Sequence, residues 1–131
     1  MSEFSFEIRV YYEDTDFSGN VYHGSYVKFF ERARTEWLRK VGIHHSELAN
    51  DGLAFAVSKM EIDFLKSSHI DDLLKVTTRI TSLSGARISL EQVISKEEVE
   101  ITRAEVSVAM INKVGRATRL PKNWRALLLP E

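Results

Sequence analysis

A short acidic, turn-rich stretch of this 131-residue chain holds most of the side chains that could do chemistry. Asp16 is a carboxylate on a loop, Gly19 allows a positive φ or a close backbone approach, and His23 stands where a helical apolar pattern begins. The first N–H groups of a helix have no intrahelical partner and lie at the positive end of its dipole. A carboxylate facing such a helix end is suited to acyl transfer, because one side attacks or activates water while the other stabilises the oxyanion.

The same residues also have a purely structural interpretation. Asp, Ser and Asn residues before a helix are often caps, so Asp16 could serve only to close its loop. Asp14 is better explained as a turn former. Tyr12 lies on the apolar face of an alternating segment and could be a core residue. His23 could be a polar residue at the helix start that faces solvent.

Two periodicities define the elements on either side of this stretch. Residues 4–12 alternate between apolar and polar types, which predicts a half-buried strand. From about His23 to Val41 the apolar residues recur at intervals of three and four, which predicts an α-helix of about five turns. Gly42 follows the last periodic residue and supplies a stop. No other segment predicts a long helix.

The rest of the chain is mostly strand-like. Residues 56–64, 74–80, 88–94 and 104–110 alternate with period two. Short connections around Ser84-Gly85 and residues 96–98 predict antiparallel hairpins, and the tail after Pro121 predicts one or two helical turns. One long helix against an antiparallel sheet is an α+β two-layer arrangement, and we expect residues 1–131 to form a single domain. Apolar positions on the outer face of the sheet favour self-association.

Composition excludes several classes of protein. The chain has 18 Lys+Arg and 19 Asp+Glu, a formal net charge of −1, which argues against a protein built mainly to bind nucleic acid. It has no cysteine, so disulfides, Cys-ligated zinc and thiol nucleophiles are excluded. His44, His45 and His69 lack the spacing of metal ligands, and we expect no metal site. No secretory signal or membrane-spanning apolar run is visible, which predicts a cytoplasmic protein.

The motif as a whole resembles a known family. The stretch VYYEDTDFSGNVYHGSY (10–26), followed by FFERARTEWL (29–38), resembles the hotdog-fold acyl-CoA thioesterases, and its densest part is Tyr-x3-Asp-x2-Gly-x3-His. The similarity covers nearly the whole chain. The nearest branch is the Tol-Pal-associated acyl-CoA thioesterases, with 4-hydroxybenzoyl-CoA thioesterase a more distant relative. The resemblance implies one long central helix wrapped by a five-stranded antiparallel sheet, and a homodimer or homotetramer.

The resemblance also implies an activity and a set of residues. The expected reaction is hydrolysis of an acyl-CoA thioester to a free acid and CoA without a further cofactor, and acyl carrier protein is a second thiol carrier to consider. Asp16 takes the position of the catalytic carboxylate, as nucleophile or general base. The backbone N–H at or next to His23 is the oxyanion donor, and the side chains of His23 and Tyr12 complete the catalytic set. The expected substrate-binding residues are Gly19, Tyr22, Gly24, Tyr26, Lys59 and Arg87.

Two departures from the family pattern bear on substrate fit. Phe17-Ser18 and Asn20 replace smaller or aliphatic residues in the loop, and Lys66-Ser67-Ser68 stands where an Arg-Pro-Ala type sequence is usual. These changes affect the fit of the acyl group and the contacts with the coenzyme. Lys66 is a further basic candidate for the coenzyme phosphates.

Two other functions remain open at this level. A hotdog-fold hydratase or dehydratase would use a His and an acidic residue on an acyl β-carbon, and fold alone does not distinguish it from a thioesterase. A non-catalytic module that binds acyl-CoA or acyl carrier protein would bind the thioester without releasing thiol. An Asp placed before the helix favours the thioesterase.

Overall fold

The computed structural model describes residues 3–129, and within them the chain forms one antiparallel sheet with a long helix against it. The elements in chain order are β1 Glu3–Arg9, a 3-10 turn Tyr12–Asp14, α1 His23–Lys40, α2 His45–Asn50, β2 Ala54–Phe64, β3 Leu73–Ser84, β4 Arg87–Lys96, β5 Val99–Ile111 and α3 Trp124–Leu128. The strands occur in the spatial order β1-β3-β4-β5-β2. This confirms the expected α+β architecture of one long helix and five antiparallel strands.

The long helix α1 begins and ends where its sequence predicts. Phe29, Phe30 and Ala33 on its apolar stripe are fully buried. At its C-terminus the Gly42 N–H bonds to the Arg39 carbonyl oxygen (3.0 Å) and the next N–H, of Ile43, reaches the Leu38 carbonyl oxygen (2.8 Å). These two bonds form the Schellman arrangement, in which Gly42 adopts a φ of 93°. None of the helices within residues 3–129 is both long and apolar enough to cross a membrane.

The hairpins connect strands as expected, but the first strand is shorter than its alternation suggests. β1 ends at Arg9, and the Val10 N–H bonds to the Asp72 carbonyl oxygen (2.8 Å) outside the sheet ladder. The chain then turns, so Tyr12 falls in the 3-10 turn with 83% of its surface exposed. The interpretation of Tyr12 as a core residue is therefore wrong. The alternating pattern continued past the strand because a turn needs no change of hydrophobicity to begin.

Two further features differ from expectation. Residues 45–50 form the short helix α2, which the sequence does not predict, because a segment of this length is too short to show a helical period. The outer face of the sheet is mainly charged at its centre. There Glu91 pairs with Arg79 at 2.8 Å and with Arg103 at 2.9 Å. This face therefore gives less reason for self-association than we expected, and the exposed apolar side chains lie mainly elsewhere.

Candidate functional site

The loop that carries Asp16 is a miniature hairpin. Thr15 and Val21 form an antiparallel bridge, and the Asp16 N–H bonds to the Asn20 carbonyl oxygen at 2.9 Å. The Gly19 N–H bonds back to the Asp16 carbonyl oxygen at 3.0 Å, with Gly19 at a φ of 88°. A side chain would find open space there, so backbone conformation is what selects glycine. The expected positive φ at Gly19 is confirmed.

The Asp16 carboxylate is exposed and held at one oxygen. Oδ1 accepts hydrogen bonds from both the N–H (2.9 Å) and the hydroxyl of Ser18, and Oδ2 lies outside these two bonds. The Ser18 hydroxyl, followed by its N–H, lowers the pKa of Asp16, and the charge of His23 lowers it further. Asp16 therefore closes its own turn, as the structural interpretation expects, and it also presents an ionised oxygen at neutral pH.

The start of α1 presents free N–H groups beside this loop. Tyr22 is the N-cap and its side chain makes no capping bond, while the Ser25 N–H is used by the Tyr22 carbonyl oxygen (2.9 Å). The N–H groups of His23 and Gly24 make no hydrogen bond with any residue of the region 3–129. The first turn has no acidic side chain to offset the helix dipole. This helix end is suited to receive an oxyanion.

Aromatic rings surround the helix start. A Cβ at Gly24 would lie 2.6 Å from the Tyr22 ring, so glycine allows that ring to lie against the first turn. The His23 ring packs against Phe64 with a centroid distance of 4.7 Å. Phe64, the last residue of β2, was not among the expected site residues. Local sequence gave no signal for it, because its position follows from the pairing of β2 with β5.

The hairpin and the helix are joined through Asp14. Its carbonyl oxygen accepts hydrogen bonds from the Tyr22 N–H and the Ser25 hydroxyl, both at 2.9 Å. Its buried carboxylate accepts the Tyr11 N–H at 2.8 Å. These contacts support the expectation that Asp14 is structural, and they hold the loop against the helix start.

Tyr26 also holds the loop. Its hydroxyl lies 2.5 Å from the Ser68 hydroxyl, and both side chains are buried. Burial raises the pKa of Tyr26. The Ser68 carbonyl oxygen accepts the Val21 N–H at 2.8 Å, and Asn20 bridges to His69. Within this chain Tyr26 therefore acts as an anchor behind the loop, and its expected role in substrate binding stays a prediction.

The Tyr26–Ser68 pair gives a prediction about stability. Ser68→Ala leaves a buried phenol hydroxyl without this partner, and we expect it to lower the free energy of unfolding by about 1–3 kcal/mol. The double variant Ser68→Ala/Tyr26→Phe should lose less than the sum of the two single changes, because the second change removes the unpaired group. Urea unfolding of the four proteins measures this coupling. Strictly additive losses would show that the two hydroxyls do not interact.

The expected basic residues lie far from this site within one chain. The β5 partner of Phe64 is Thr102, whereas Lys59 is paired with position 107 and Arg87 with position 109. At roughly 3.3 Å per residue, they lie about 16 Å and about 23 Å along the strand from Thr102. Lys66, two residues after Phe64, is the closer cation in sequence and is exposed.

Exposed apolar rings surround the Asp16 hairpin. Phe17 at its tip is fully exposed, and Tyr11, Tyr12 and Tyr22 are each more than half exposed. Within residues 3–129 no group of three or more His, Asp or Glu side chains is placed to hold a metal ion. The site therefore consists of a carboxylate, a free helix N-terminus and a surrounding aromatic surface.

Comparisons with known proteins bear on the family and the fold of this chain. The thioesterase superfamily profile matches residues 18–103. The acyl-CoA thioesterase YbgC of Haemophilus influenzae is 44% identical over 110 residues, which cover 83% of this chain and 81% of that protein. A probable thioesterase from Bartonella henselae has a crystal structure that superposes with a TM-score of 0.88 at 46% identity, covering 92% of this chain and all of that one. A 4-hydroxybenzoyl-CoA thioesterase shares the fold with a TM-score of 0.89 at 17% identity, covering 96% of this chain and 98% of that one.

Proposed function

The chain belongs to the thioesterase superfamily, and we propose that it hydrolyses acyl-CoA thioesters to a free carboxylic acid and CoA. The observation that carries the proposal is that the hairpin bearing the ionised Asp16 leads directly into the unpaired N–H groups at the start of α1, with Asp16 close enough to His23 for their charges to interact. Relatives of the YbgC type support the same activity. Release of thiol from a series of acyl-CoA substrates by the purified protein is the direct test. Absence of thiol release from every member would contradict the proposal, and double-bond chemistry without free thiol would indicate a hydratase.

The proposed mechanism divides the work between the loop and the helix. The N–H groups of His23 and Gly24 donate to the thioester carbonyl oxygen and stabilise the negative charge that develops on it. Asp16 then acts in one of two ways. As a general base it takes a proton from water, which attacks the carbonyl carbon, and the tetrahedral intermediate expels CoA. As a nucleophile it attacks the carbonyl carbon, displaces the CoA thiolate and forms a mixed anhydride, which water hydrolyses to the free acid and the regenerated Asp16 carboxylate. Neither route needs a metal or a resident cofactor.

We assign supporting roles to the nearby side chains. The His23 ring is fixed against Phe64 beside the helix start, where it can orient water or the thioester. The Tyr22 ring shields the first turn of α1, and Gly24 gives it room. Tyr12, whose phenol is exposed in the 3-10 turn before the hairpin, keeps its proposed role in completing the catalytic set. Gly19 shapes the hairpin and makes no substrate contact through a side chain.

We also propose that the active form is a homodimer or homotetramer. The exposed rings around the Asp16 hairpin support this, because a second copy would remove them from water. Lys59 and Arg87 would then contact the phosphates of the coenzyme bound at a neighbouring subunit's site. Lys66 would contact the phosphates of the coenzyme bound at the site of its own subunit. Acyl carrier protein as the thiol carrier, a Tol-Pal association and a cytoplasmic location stay predictions from the sequence.

The pH profile follows from the lowered pKa of Asp16. Because the reaction needs the ionised carboxylate, activity is lost as the pH falls through this pKa, which lies below the ordinary aspartate value of about 3.9. Ser18→Ala removes the hydroxyl that contributes most to the lowering, so the acid limb of kcat/KM should move to higher pH. Ser58→Ala, which removes a hydroxyl bonded to Ser107 on β5, should leave the limb in place. An unmoved limb in Ser18→Ala would show that Asp16 does not set it.

A further inference from the structure

A groove of about 310 Å³ runs between α1 and β2, beginning one helical turn beyond His23. Val27, Glu31, Arg34 and Leu38 line it along one stripe of α1. Further α1 side chains, residues of strands β2–β5, His45 of α2 and Leu128 of α3 form the remaining surface. The volume is at the lower end of the range for small-molecule pockets. The groove is therefore large enough to accept part of a substrate.

The groove leads away from the proposed reaction site. The rings of His23 and Phe64 are in contact at one end. His23 is the first residue of α1 and Phe64 is the last residue of β2, so the two elements extend from this contact side by side and antiparallel. Met60 lines the groove partway along β2. His45 and Phe55, whose rings lie 5.9 Å apart, line the far end. An acyl group bound at the helix start would reach this groove at Val27, which lies one turn after His23 on the same face of α1.

The groove is mostly apolar, and α1 contributes three polar side chains to its lining, those of Glu31, Arg34 and Thr35. The partly buried Arg34 donates to the Gln92 side-chain oxygen at 2.9 Å, and no carboxylate of residues 3–129 forms an ion pair with it. A guanidinium has five N–H donors, so further donors remain available. Burial lowers the pKa of Arg34, and the charge of Glu31 opposes that change. Glu31 lines the groove one helical turn before Arg34, and Thr35 lines it next to Arg34.

Resting on the thioesterase function above, we propose that this groove binds a medium-length aliphatic acyl chain with a hydroxyl near its far end, read by Glu31 and Arg34. A hydroxyl donates to a carboxylate and accepts from a guanidinium, so it satisfies both partners. An unsubstituted alkyl chain would displace water from the Glu31 carboxylate and the Arg34 guanidinium and would offer neither group a hydrogen bond in return, which is unfavourable. A terminal carboxylate would be repelled by Glu31.

The position of the charged pair sets the chain length. A helix rises 1.5 Å per residue, so Glu31 and Arg34 lie about 12 Å and about 17 Å along α1 from His23. An extended chain of roughly ten to twelve carbons spans this distance. A hydroxylated aromatic acyl group is too short to reach the pair from the helix start.

The test compares the CoA thioesters of dodecanoic acid, ω-hydroxydodecanoic acid and dodecanedioic acid. We expect the wild-type protein to hydrolyse the hydroxylated substrate with a kcat/KM about 10-fold above that of the other two. Arg34→Met keeps the length of the side chain and removes its donors, so the ratio between the hydroxylated and plain substrates should fall to about one. Arg39→Met is the matched control on the same helix, because Arg39 is exposed and paired with Glu36. It should leave the ratio unchanged.

A second variant keeps the test decisive if Arg34→Met does not fold. Glu31→Gln removes an exposed charge, and we expect it to improve hydrolysis of the dicarboxylic substrate relative to the plain one. Equal wild-type rates for all three substrates, a wild-type preference for the dicarboxylic substrate, or variants that leave every ratio unchanged would overturn the inference. Hydrolysis of the plain substrate without discrimination rejects this inference alone. Absence of thiol release from any acyl-CoA rejects the proposed function.

Discussion

Asp16→Asn is expected to lower kcat for acyl-CoA hydrolysis by about 10²–10⁴-fold, the range that a positioned catalytic carboxylate contributes. An amide is neither a nucleophile of comparable strength nor a base at neutral pH, although it has nearly the same shape. Its side-chain oxygen can still accept the hydrogen bonds from Ser18 that close the hairpin. KM should change much less than kcat. Steady-state kinetics of thiol release, with the melting temperature as a check of the fold, measures the effect.

The matched control is Asp63→Asn, which changes an exposed carboxylate on β2 next to the site residue Phe64. It should lower kcat by less than about twofold, because the Asp63 carboxylate makes no hydrogen bond or ion pair within residues 3–129 and surface changes are usually mild. A turnover rate in Asp16→Asn equal to that of the wild type would rule out both the nucleophilic and the general-base mechanism. The protein would then have to use another group on the bound thioester.

Phe30→Ala should produce the largest loss of stability, about 3–5 kcal/mol of unfolding free energy. Phe30 is fully buried on the apolar stripe of α1, so its removal leaves a cavity between the helix and the sheet. The loss is a large share of the 5–15 kcal/mol that is typical of a single domain. Chemical denaturation followed by circular dichroism measures it.

Two variants bracket this result. Phe30→Leu fills most of the space and should lose substantially less, and it gives a value if Phe30→Ala does not fold. Val114→Ala removes apolar atoms from an exposed turn residue and should lose less than about 0.5 kcal/mol. A loss in Phe30→Ala as small as that in Val114→Ala would mean that the helix does not pack on the sheet as described.

The predictions that succeeded depend on local sequence. The helix from His23 to Lys40 is set by the spacing of its apolar residues and by Gly42, and each strand by alternation over adjacent residues. The candidate site could be recognised because Asp16, Gly19 and His23 lie within eight residues of one another. A loop followed by a helix places such residues near each other without help from the rest of the fold.

The predictions that failed or were absent depend on distant contacts. Tyr12 is exposed because β1 ends at Arg9, where a backbone bond to Asp72 replaces the ladder. Tyr26 is an anchor because its hydroxyl hydrogen-bonds to that of Ser68, which lies 42 residues later in the chain. No local pattern specifies such a partner.

The sequence by itself determined the elements, the family and the carboxylate that precedes the helix. Only the tertiary structure decided what surrounds the start of the helix: it placed Phe64 against His23, kept Arg87 at the other end of the sheet, and opened a groove along α1 with Arg34 in its lining. The physical reason is that periodicity records which face of an element is buried. The identity of the neighbour across that face depends on strand register and helix packing, which join residues far apart in the chain.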